Sequence, residues 1–191
     1  MNISVNALCK SFGDKCVLDN VSLILHEGIY LLTGASGCGK TTFLRVLSGL
    51  EKADSGDITK CNVSFMFQEA RLFPWLNAIE NIVRVSECSE KEAQELLVML
   101  KLGGNERKYP HELSGGMQRR VALARTLARK AELYLFDEPL AGLDTELQRE
   151  VCCVIKLMLP KSAVALIVSH ETDEPAKIAN TFLRLENGLI K

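Results

Sequence analysis

A glycine-rich loop at residues 34–41 constrains the fold of this chain more than any other feature. Its sequence, Gly-Ala-Ser-Gly-Cys-Gly-Lys-Thr, fits the pattern G-x-x-x-x-G-K-[ST]. A short apolar run at residues 29–32 precedes the loop, and a helical pattern follows over residues 40–50. The order buried strand, glycine loop, helix is typical of α/β proteins with a central parallel sheet.

The chemistry of this loop predicts a phosphate-binding site. Glycines let consecutive backbone N–H groups turn toward phosphate oxygens, and the start of the following helix adds positive potential. Lys40 is expected to reach the β- and γ-phosphates of a nucleotide, and the Thr41 hydroxyl is expected to bind Mg²⁺. The predicted nucleotide-binding residues of the loop are Gly34, Ala35, Ser36, Gly37, Cys38, Gly39, Lys40, Thr41 and Thr42.

The rest of the chain alternates between strand and helix patterns. Strands are predicted at residues 3–8, 21–25, 63–67, 133–136 and 163–168. Helices are predicted at residues 77–83 and 89–100, the second closed by Gly103-Gly104, then from the N-cap Ser114 to about Arg129, and from the N-cap Thr145 to before Pro160. The Asn187-Gly188 pair predicts a hairpin turn. This alternation indicates a mostly parallel sheet covered on both faces, and residues 71–111 read as a helical subdomain inserted into it.

Composition limits the classes of protein to which the chain can belong. Its 191 residues suffice for one domain, with 47% hydrophobic and 25% charged residues, as in soluble proteins. The net charge of −1 gives no basic field, so no nucleic-acid partner is expected. No apolar run approaches roughly 18 residues, and residues 1–5 lack a basic region followed by an apolar core, so we do not expect secretion. Seven cysteines without a CxxC pair favour reduced thiols in the cytosol over disulfides or zinc.

Two acidic residues follow the apolar strand at 133–136. Asp137 and Glu138 stand at the carboxyl end of that strand, which is where open α/β sheets bind ligands. Asp137 is expected to hold Mg²⁺ through water. Glu138 is aimed differently, so it is the candidate base that polarises a water for attack on the γ-phosphate. The alternative is a pair of solvated acids at a strand end.

A second glycine motif gives the chain its specific resemblance. Residues 113–118 read Leu-Ser-Gly-Gly-Met-Gln, between the phosphate loop and the two acids. With these motifs the chain resembles the ATP-binding subunits of ABC transporters over essentially its whole length. The resemblance implies an α/β P-loop NTPase core, RecA-like, of residues 1–70 and 112–191, with a small antiparallel β edge and the helical subdomain at 71–111. It also implies that Ser114, Gly115, Gly116 and Gln118 contact ATP held by an opposite subunit, while Ser114 equally suits a plain N-cap.

The same resemblance implies roles for four more residues. Gln68 looks like the glutamine that touches Mg²⁺ and senses the γ-phosphate, and Asp144 falls in the loop that crosses the dimer interface. His170 looks like the histidine that contacts the γ-phosphate, and Phe12 occupies the place of the aromatic that stacks on adenine. Single histidines and strand-edge aromatics are more often structural, which is the alternative for both. Glu171 stands where the family usually has aspartate.

Partners follow from the resemblance as well. It implies a head-to-tail dimer that holds two Mg-ATP, with integral membrane permease subunits as partners and a cytoplasmic position on the inner face of the cell membrane. Residues 68–76 contain the single tryptophan, Trp75, beside Leu72 and Phe73. This cluster is either local core or an exposed docking groove. It resembles the segment of nitrate, sulfonate and taurine importers that receives a short helix from the membrane subunit.

Two other classes of ATPase compete with the transport subunit. Non-transport ABC ATPases act on DNA or ribosomes, but the DNA-repair type carries a long coiled coil and the ribosomal type two ATPase halves. A small-molecule kinase with a phosphate loop would need neither residues 114–118 nor His170. The sequence therefore predicts an ATP hydrolase that energises transport, and it does not name the transported solute.

Overall fold

The structure, a computed structural model, describes residues 2–170 and 172–191, so Glu171 lies outside the described residues. In chain order the elements are β1 (Ile3–Phe12), β2 (Lys15–Leu25), β3 (Gly28–Thr33), α1 (Lys40–Leu47), β4 (Ser55–Ile58), β5 (Val63–Met66), α2 (Ala78–Ser86), α3 (Glu90–Met99), a 3₁₀ turn (Pro110–Glu112), α4 (Gly115–Ala128), β6 (Leu133–Asp137), α5 (Thr145–Met158), β7 (Val164–Val168), α6 (Asp173–Ile178), β8 (Thr181–Glu186) and β9 (Leu189–Ile190). No helix in the described part of the chain is long and apolar enough to cross a bilayer.

Two sheets organise these elements. The larger has the order β5-β6-β7-β3-β8-β9, in which β5 to β8 run parallel and β9 pairs antiparallel with β8. The smaller sheet is antiparallel, with the order β2-β1-β4. Strands β6 and β7 are buried at every position, because layers cover both faces of the sheet. The predicted fold class, a mostly parallel α/β sheet with an antiparallel edge, is confirmed.

The central strand β3 contributes to the core on both sides of the sheet. Successive side chains of a strand point to opposite faces. Leu31 accordingly packs into the cluster formed with α2, α3, α4 and α5, whereas Leu32 packs into the cluster formed with α1, β1 and β2. Because both faces of β3 are fixed, the glycine loop that follows it leaves the sheet at a defined place.

Helices α2 and α3 lie where the inserted helical subdomain was expected. Their buried residues Ile82 and Leu97 belong to the same hydrophobic cluster as Phe136 of β6. Helix α4 also contributes to this cluster, through residues such as Leu123. The division into a core of 1–70 and 112–191 and a subdomain of 71–111 stays a prediction.

The predicted first two strands were too short. Strands β1 and β2 extend to residues 12 and 15 and are joined at Gly13 and Asp14 into one hairpin. The alternating pattern fails within this hairpin because Ala7 and Asn20 have positive φ angles of 48° and 51° and the register shifts beside Ala7. Such irregularities break the two-residue period from which strands are recognised.

Several predicted helix ends were also misplaced. Helix α1 ends at Leu47 and not at residue 50, and α2 ends at Ser86 and not at residue 83. Helix α5 is capped by Asp144, whose Oδ1 accepts a hydrogen bond of 2.9 Å from the N–H of Leu147, and not by Thr145. Aspartate and threonine both serve as N-caps, so adjacent candidates cannot be separated by residue type. Helix α3 ends at Met99, and the first left-handed residue after it is Lys101, not Gly103 or Gly104.

A buried asparagine of α2 binds the backbone of residues 73–77, the tryptophan segment. Asn81 is completely buried, and its Nδ2 donates to the carbonyl oxygens of Phe73, Leu76 and Asn77 at 2.9 to 3.2 Å. Its Oδ1 accepts a hydrogen bond of 2.8 Å from the N–H of Phe73. One side chain therefore fixes the backbone on both sides of Trp75.

We predict that Asn81→Ala lowers the free energy of unfolding by about 2–3 kcal/mol, because it removes a completely buried side chain together with its hydrogen bonds to the backbone of Phe73 and Leu76. Chemical denaturation measures this loss. Asn62→Ala, at an exposed asparagine, is the matched control and should change stability by less than about 0.5 kcal/mol. Equal stability of the two variants would contradict the role given to Asn81.

Candidate functional site

Close packing shapes the glycine loop. A Cβ on Gly34 would lie 2.5 Å from the carbonyl oxygen of Leu185, and a Cβ on Gly39 would lie 2.4 Å from Cγ1 of Val17. Both glycines also have positive φ angles, of 151° and 113°. The loop therefore fits between β2 and β8 only with glycine at these positions.

Lys40 holds the loop from inside. Its side chain is buried, and Nζ donates hydrogen bonds of 2.8 and 2.9 Å to the carbonyl oxygens of Gly34 and Ala35. An ammonium group has three donors, so Lys40 can hold the loop and bind a phosphate oxygen at the same time.

A cavity of about 350 Å³ lies beside the loop, at the carboxyl ends of β6 and β7. It brings together eleven of the predicted site residues, namely Phe12, Ser36, Gly37, Gly39, Lys40, Thr41, Thr42, Gln68, Asp137, Glu138 and His170. Gly34, Ala35 and Cys38 belong to the loop without lining the cavity. Residues from five separate stretches of the chain thus converge on one space, at the edge of the sheet where α/β proteins bind ligands.

Asp137 presents a desolvated carboxylate to this cavity. The residue is only 2% exposed, and burial raises the pKa of its carboxyl group. A hydrogen bond from the Thr41 hydroxyl and the charge of Lys40 lower this pKa in part. Net desolvation makes the ionised carboxylate costly, so the group favours a nearby cation.

Glu138 is held differently from its neighbour. Its φ of 54° is in the left-handed region, and its N–H donates a hydrogen bond of 3.0 Å to the carbonyl of Val168. Oε2 accepts a hydrogen bond of 3.2 Å from the N–H of His170. Oε1 is buried without a hydrogen-bond donor among residues 2–170 and 172–191, and it lies 3.4 Å from Nε2 of His170. A strained backbone and an unsatisfied buried oxygen together point to function at this residue.

The second glycine motif lies outside this cavity. Ser114 caps α4, since its Oγ accepts a hydrogen bond of 3.3 Å from the N–H of Met117, and Gly115 and Gly116 form the first turn. The Gln118 amide donates to the carbonyls of Pro110 and Leu113 at 2.8 and 3.1 Å, so it is engaged within its own subunit. The roles expected for these four residues stay predictions.

Asp144 also lies apart from the phosphate loop. It lines a neighbouring cavity of about 500 Å³, to which His170 contributes as well. His170 therefore stands between the two spaces, one beside Lys40 and one beside the N-terminus of α5.

Several residues of the site were not found from the sequence. Lys15, Val17 and Val168 line the first cavity. Lys15 pairs with Phe12 across the hairpin, so a correct reading of that turn would have placed it there. Arg119 carries no such signal, yet its guanidinium donates to the carbonyls of Gln68, at 3.2 Å, and of Ala141. It thereby joins the loops that follow β5 and β6.

Comparison with known proteins gives a consistent result. Residues 18–141 match the family model of the ABC transporter. The chain is 38% identical to an aliphatic sulfonates import ATP-binding protein of Shouchella clausii, covering 100% of this chain and 79% of that protein. It is 35% identical to an arginine transport ATP-binding protein of Bacillus subtilis, covering 98% and 89%. A dimeric ATP-binding cassette in a post-hydrolysis state, bound to ADP and Pi, superimposes with a TM-score of 0.86 at 25% identity, covering 99% and 96%.

We predict that Asp137→Asn stabilises the protein at neutral pH when nucleotide and Mg²⁺ are absent. The folded pKa of Asp137 is raised, so wild type loses stability as pH rises from the ordinary value of 3.8 through the folded pKa, and the asparagine variant does not. The difference in Tm should be largest above this window and vanish below it.

Thermal unfolding at several pH values measures this difference. Asp57→Asn, at an exposed carboxylate, is the control and should leave the Tm of wild type nearly unchanged. A lower Tm for Asp137→Asn than for wild type at neutral pH would show that the carboxylate is not under net desolvation.

Proposed function

The chain belongs to the ABC transporter family, and on that premise we propose that it is the ATP-hydrolysing subunit of a membrane importer for a small solute. The observation that carries the assignment of its catalytic residue is the buried, unsatisfied Oε1 of Glu138 in the cavity that also holds Lys40. Energising transport requires ATP binding, hydrolysis, a second subunit and a membrane partner, and each can be attributed to particular residues.

ATP would bind with its phosphates in the loop of residues 34–41 and its base on Phe12. Thr41, Asp137 and Gln68 line the same cavity beside the loop. Oxygen ligands of this kind, completed by phosphates and waters, suit Mg²⁺. When bound there, Mg²⁺ supplies positive charge that offsets the charge of the phosphates.

Glu138 would act as the general base of hydrolysis. A water that donates to Oε1 would be polarised for attack on the γ-phosphorus. As its oxygen bonds to that phosphorus, the water gives its proton to Glu138, the bond to the β–γ bridging oxygen breaks, and ADP leaves with the electron pair. His170, whose Nε2 lies 3.4 Å from Oε1, would contact the same phosphate.

The working unit would be a head-to-tail dimer. Ser114 stands at the N-terminus of α4, a helix of 14 residues whose first N–H groups attract anions, yet it lies outside the cavity of its own subunit. Twofold symmetry would place this turn over the phosphate loop of the partner, giving two composite sites. The likeness to a dimeric cassette supports this arrangement.

We predict that Glu138→Gln lowers kcat for ATP hydrolysis by about 100-fold or more while ATP still binds, because only the base is lost. Lys40→Ala should instead weaken both binding and turnover. Phosphate release and nucleotide titration measure the two effects. With ATP, Glu138→Gln should also form dimers by light scattering.

The matched control is Glu95→Gln, at an exposed glutamate of α3, which should hydrolyse ATP like wild type. Near-normal turnover by Glu138→Gln would contradict the assignment of Glu138 as the general base of hydrolysis. If the protein stayed strictly monomeric at every ATP concentration and still hydrolysed ATP fully, the proposal of a dimeric working unit would be wrong.

The membrane partner would dock beside the tryptophan segment. Trp75 is 69% exposed, so it is not part of a local core, and its ring lies 5.5 Å from that of Phe73. Phe73 in turn lines a groove of about 330 Å³ with Leu50 and Phe65. The lining also includes Arg71, Arg125 and Arg129. A groove with apolar and basic side chains would receive a short helix of a permease, which would place the subunit at the cytoplasmic face of the membrane.

The groove is also tied to the nucleotide site. Arg125 lines it and donates to the carbonyls of Ala70 and Arg71 at 2.9 and 3.0 Å. These residues follow Gln68, which lines the nucleotide cavity. If Gln68 moves when nucleotide binds, the backbone at Ala70 and Arg71 would move with it. Arg125 would then transmit this displacement to the docked helix.

We predict that Trp75→Ala weakens assembly with the membrane subunit by about 30-fold, the effect of a hot spot worth about 2 kcal/mol. ATP affinity should stay unchanged, since Trp75 does not line the nucleotide cavity. The measurement is recovery of polytopic membrane proteins with the tagged chain from native membranes. Leu157→Ala, another exposed apolar residue, is the control. Full assembly by Trp75→Ala would remove the docking role.

A further inference from the structure

Lys10 is a buried cation in β1, two residues before Phe12. It is 8% exposed, and its Nζ lies 2.8 Å from Oε1 of Glu51 and 3.4 Å from Oδ1 of Asp54. The same ammonium donates a hydrogen bond of 2.9 Å to the carbonyl of Lys52. The hydrogen bond to Glu51 raises the pKa of Lys10, with a smaller contribution from Asp54, so the group is an ammonium ion at neutral pH.

This cation is placed over the ring of Phe12. Its Nζ lies 4.9 Å from the ring centroid, within the range of a cation–π interaction. Phe12 is 50% exposed and lines the nucleotide cavity, whereas Lys10 does not. The ammonium therefore supports the ring without entering the space in which a base would stack on it.

The loop of residues 51–54, which binds the ammonium of Lys10, also forms hydrogen bonds with β1, the strand that carries Phe12. Oδ2 of Asp54 accepts a hydrogen bond of 2.6 Å from the N–H of Ser11, and the N–H of Asp54 donates to the carbonyl of Cys9 at 2.9 Å. The loop begins where α1 ends, since the N–H of Glu51 donates to the carbonyl of Arg45. The helix that starts at the phosphate loop is thus connected through this loop to the end of β1.

We propose that Lys10 is a positioning residue that holds the Phe12 ring ready to stack on the base of a bound nucleotide. The proposal rests on the proposed function and deepens it, because it assigns recognition of the base to a residue that does not touch the nucleotide. A half-exposed ring without support samples several rotamers, and fixing it on binding costs affinity. The ammonium fixes the ring beforehand, and Glu51 and Asp54 fix the ammonium.

The test compares a ligand that has a base with one that lacks it. Isothermal titration calorimetry with MgADP and with magnesium pyrophosphate gives both affinities without turnover. Lys10→Met should weaken ADP binding by about 5-fold, as expected for loss of one cation–π support, and leave pyrophosphate binding unchanged. Lys10→Arg, which keeps a cation over the ring, should bind ADP like wild type.

Two further variants make the result specific. Lys52→Met removes an exposed lysine from the same loop and should change neither affinity. In the background of Phe12→Ala, Lys10→Met should cause no additional loss of ADP affinity, because its effect acts through the ring. If Lys10→Met does not fold, Glu51→Gln, which removes the closest anchor of the ammonium, should still weaken ADP by about 2-fold and spare pyrophosphate.

The possible outcomes separate this proposal from the proposed function. An equal loss for ADP and pyrophosphate would show that Lys10 acts through the phosphate helix, and it would overturn the positioning role. Wild-type ADP affinity in Lys10→Met and in Glu51→Gln would overturn it as well, while leaving nucleotide binding intact. If the wild-type protein bound ADP no more tightly than pyrophosphate, the proposed stacking of the base on Phe12 would itself be wrong.

Discussion

The left-handed backbone of the glycine loop is the constraint on which the site depends. Strand β3 is fixed from both faces of the sheet, and α1 packs in the cluster on one face, so the chain has only six residues, 34–39, in which to turn between them. Gly34 and Gly39 make that turn where any side chain would meet Leu185 or Val17. Lys40 then donates hydrogen bonds to the carbonyls of Gly34 and Ala35 and so holds the start of the loop. A rigid, electropositive cradle results.

The two acids beside this cradle show how position in the sheet separates their chemistry. Both residues are buried, yet Asp137 ends the strand and lines the cavity with Thr41, whereas Glu138 has a left-handed backbone and accepts a hydrogen bond from the N–H of His170. The desolvation of Asp137 favours a cation, and the unsatisfied oxygen of Glu138 favours a water. Each group is costly to the folded state alone, which is typical of residues kept for function.

Much of the fold was predictable, because its signals are local. The strands at 133–136 and 163–168 are continuous apolar runs, the strand at 63–67 is apolar except for Ser64, and the structure has strands at each. The hairpin of β1 and β2 was predicted too short, because backbone irregularities at Ala7 and Asn20 interrupt its alternation. The cap of α5 was placed at Thr145 in place of Asp144, since both residue types can cap a helix and only the backbone turn selects one.

The sequence by itself determined the phosphate loop, the acids at the end of β6 and the family, because each rests on residues adjacent in the chain. Tertiary structure alone decided which distant residues meet. Phe12 reaches the cavity from the end of β1, and the ammonium of Lys10 beside it is held by Glu51 and Asp54, which follow α1. Arg119 finds the carbonyls of Gln68 and Ala141 only because two strand ends lie side by side. Hydrogen bonds to backbone carbonyls depend on where the chain passes and not on which residue it carries there, so no sequence pattern records them.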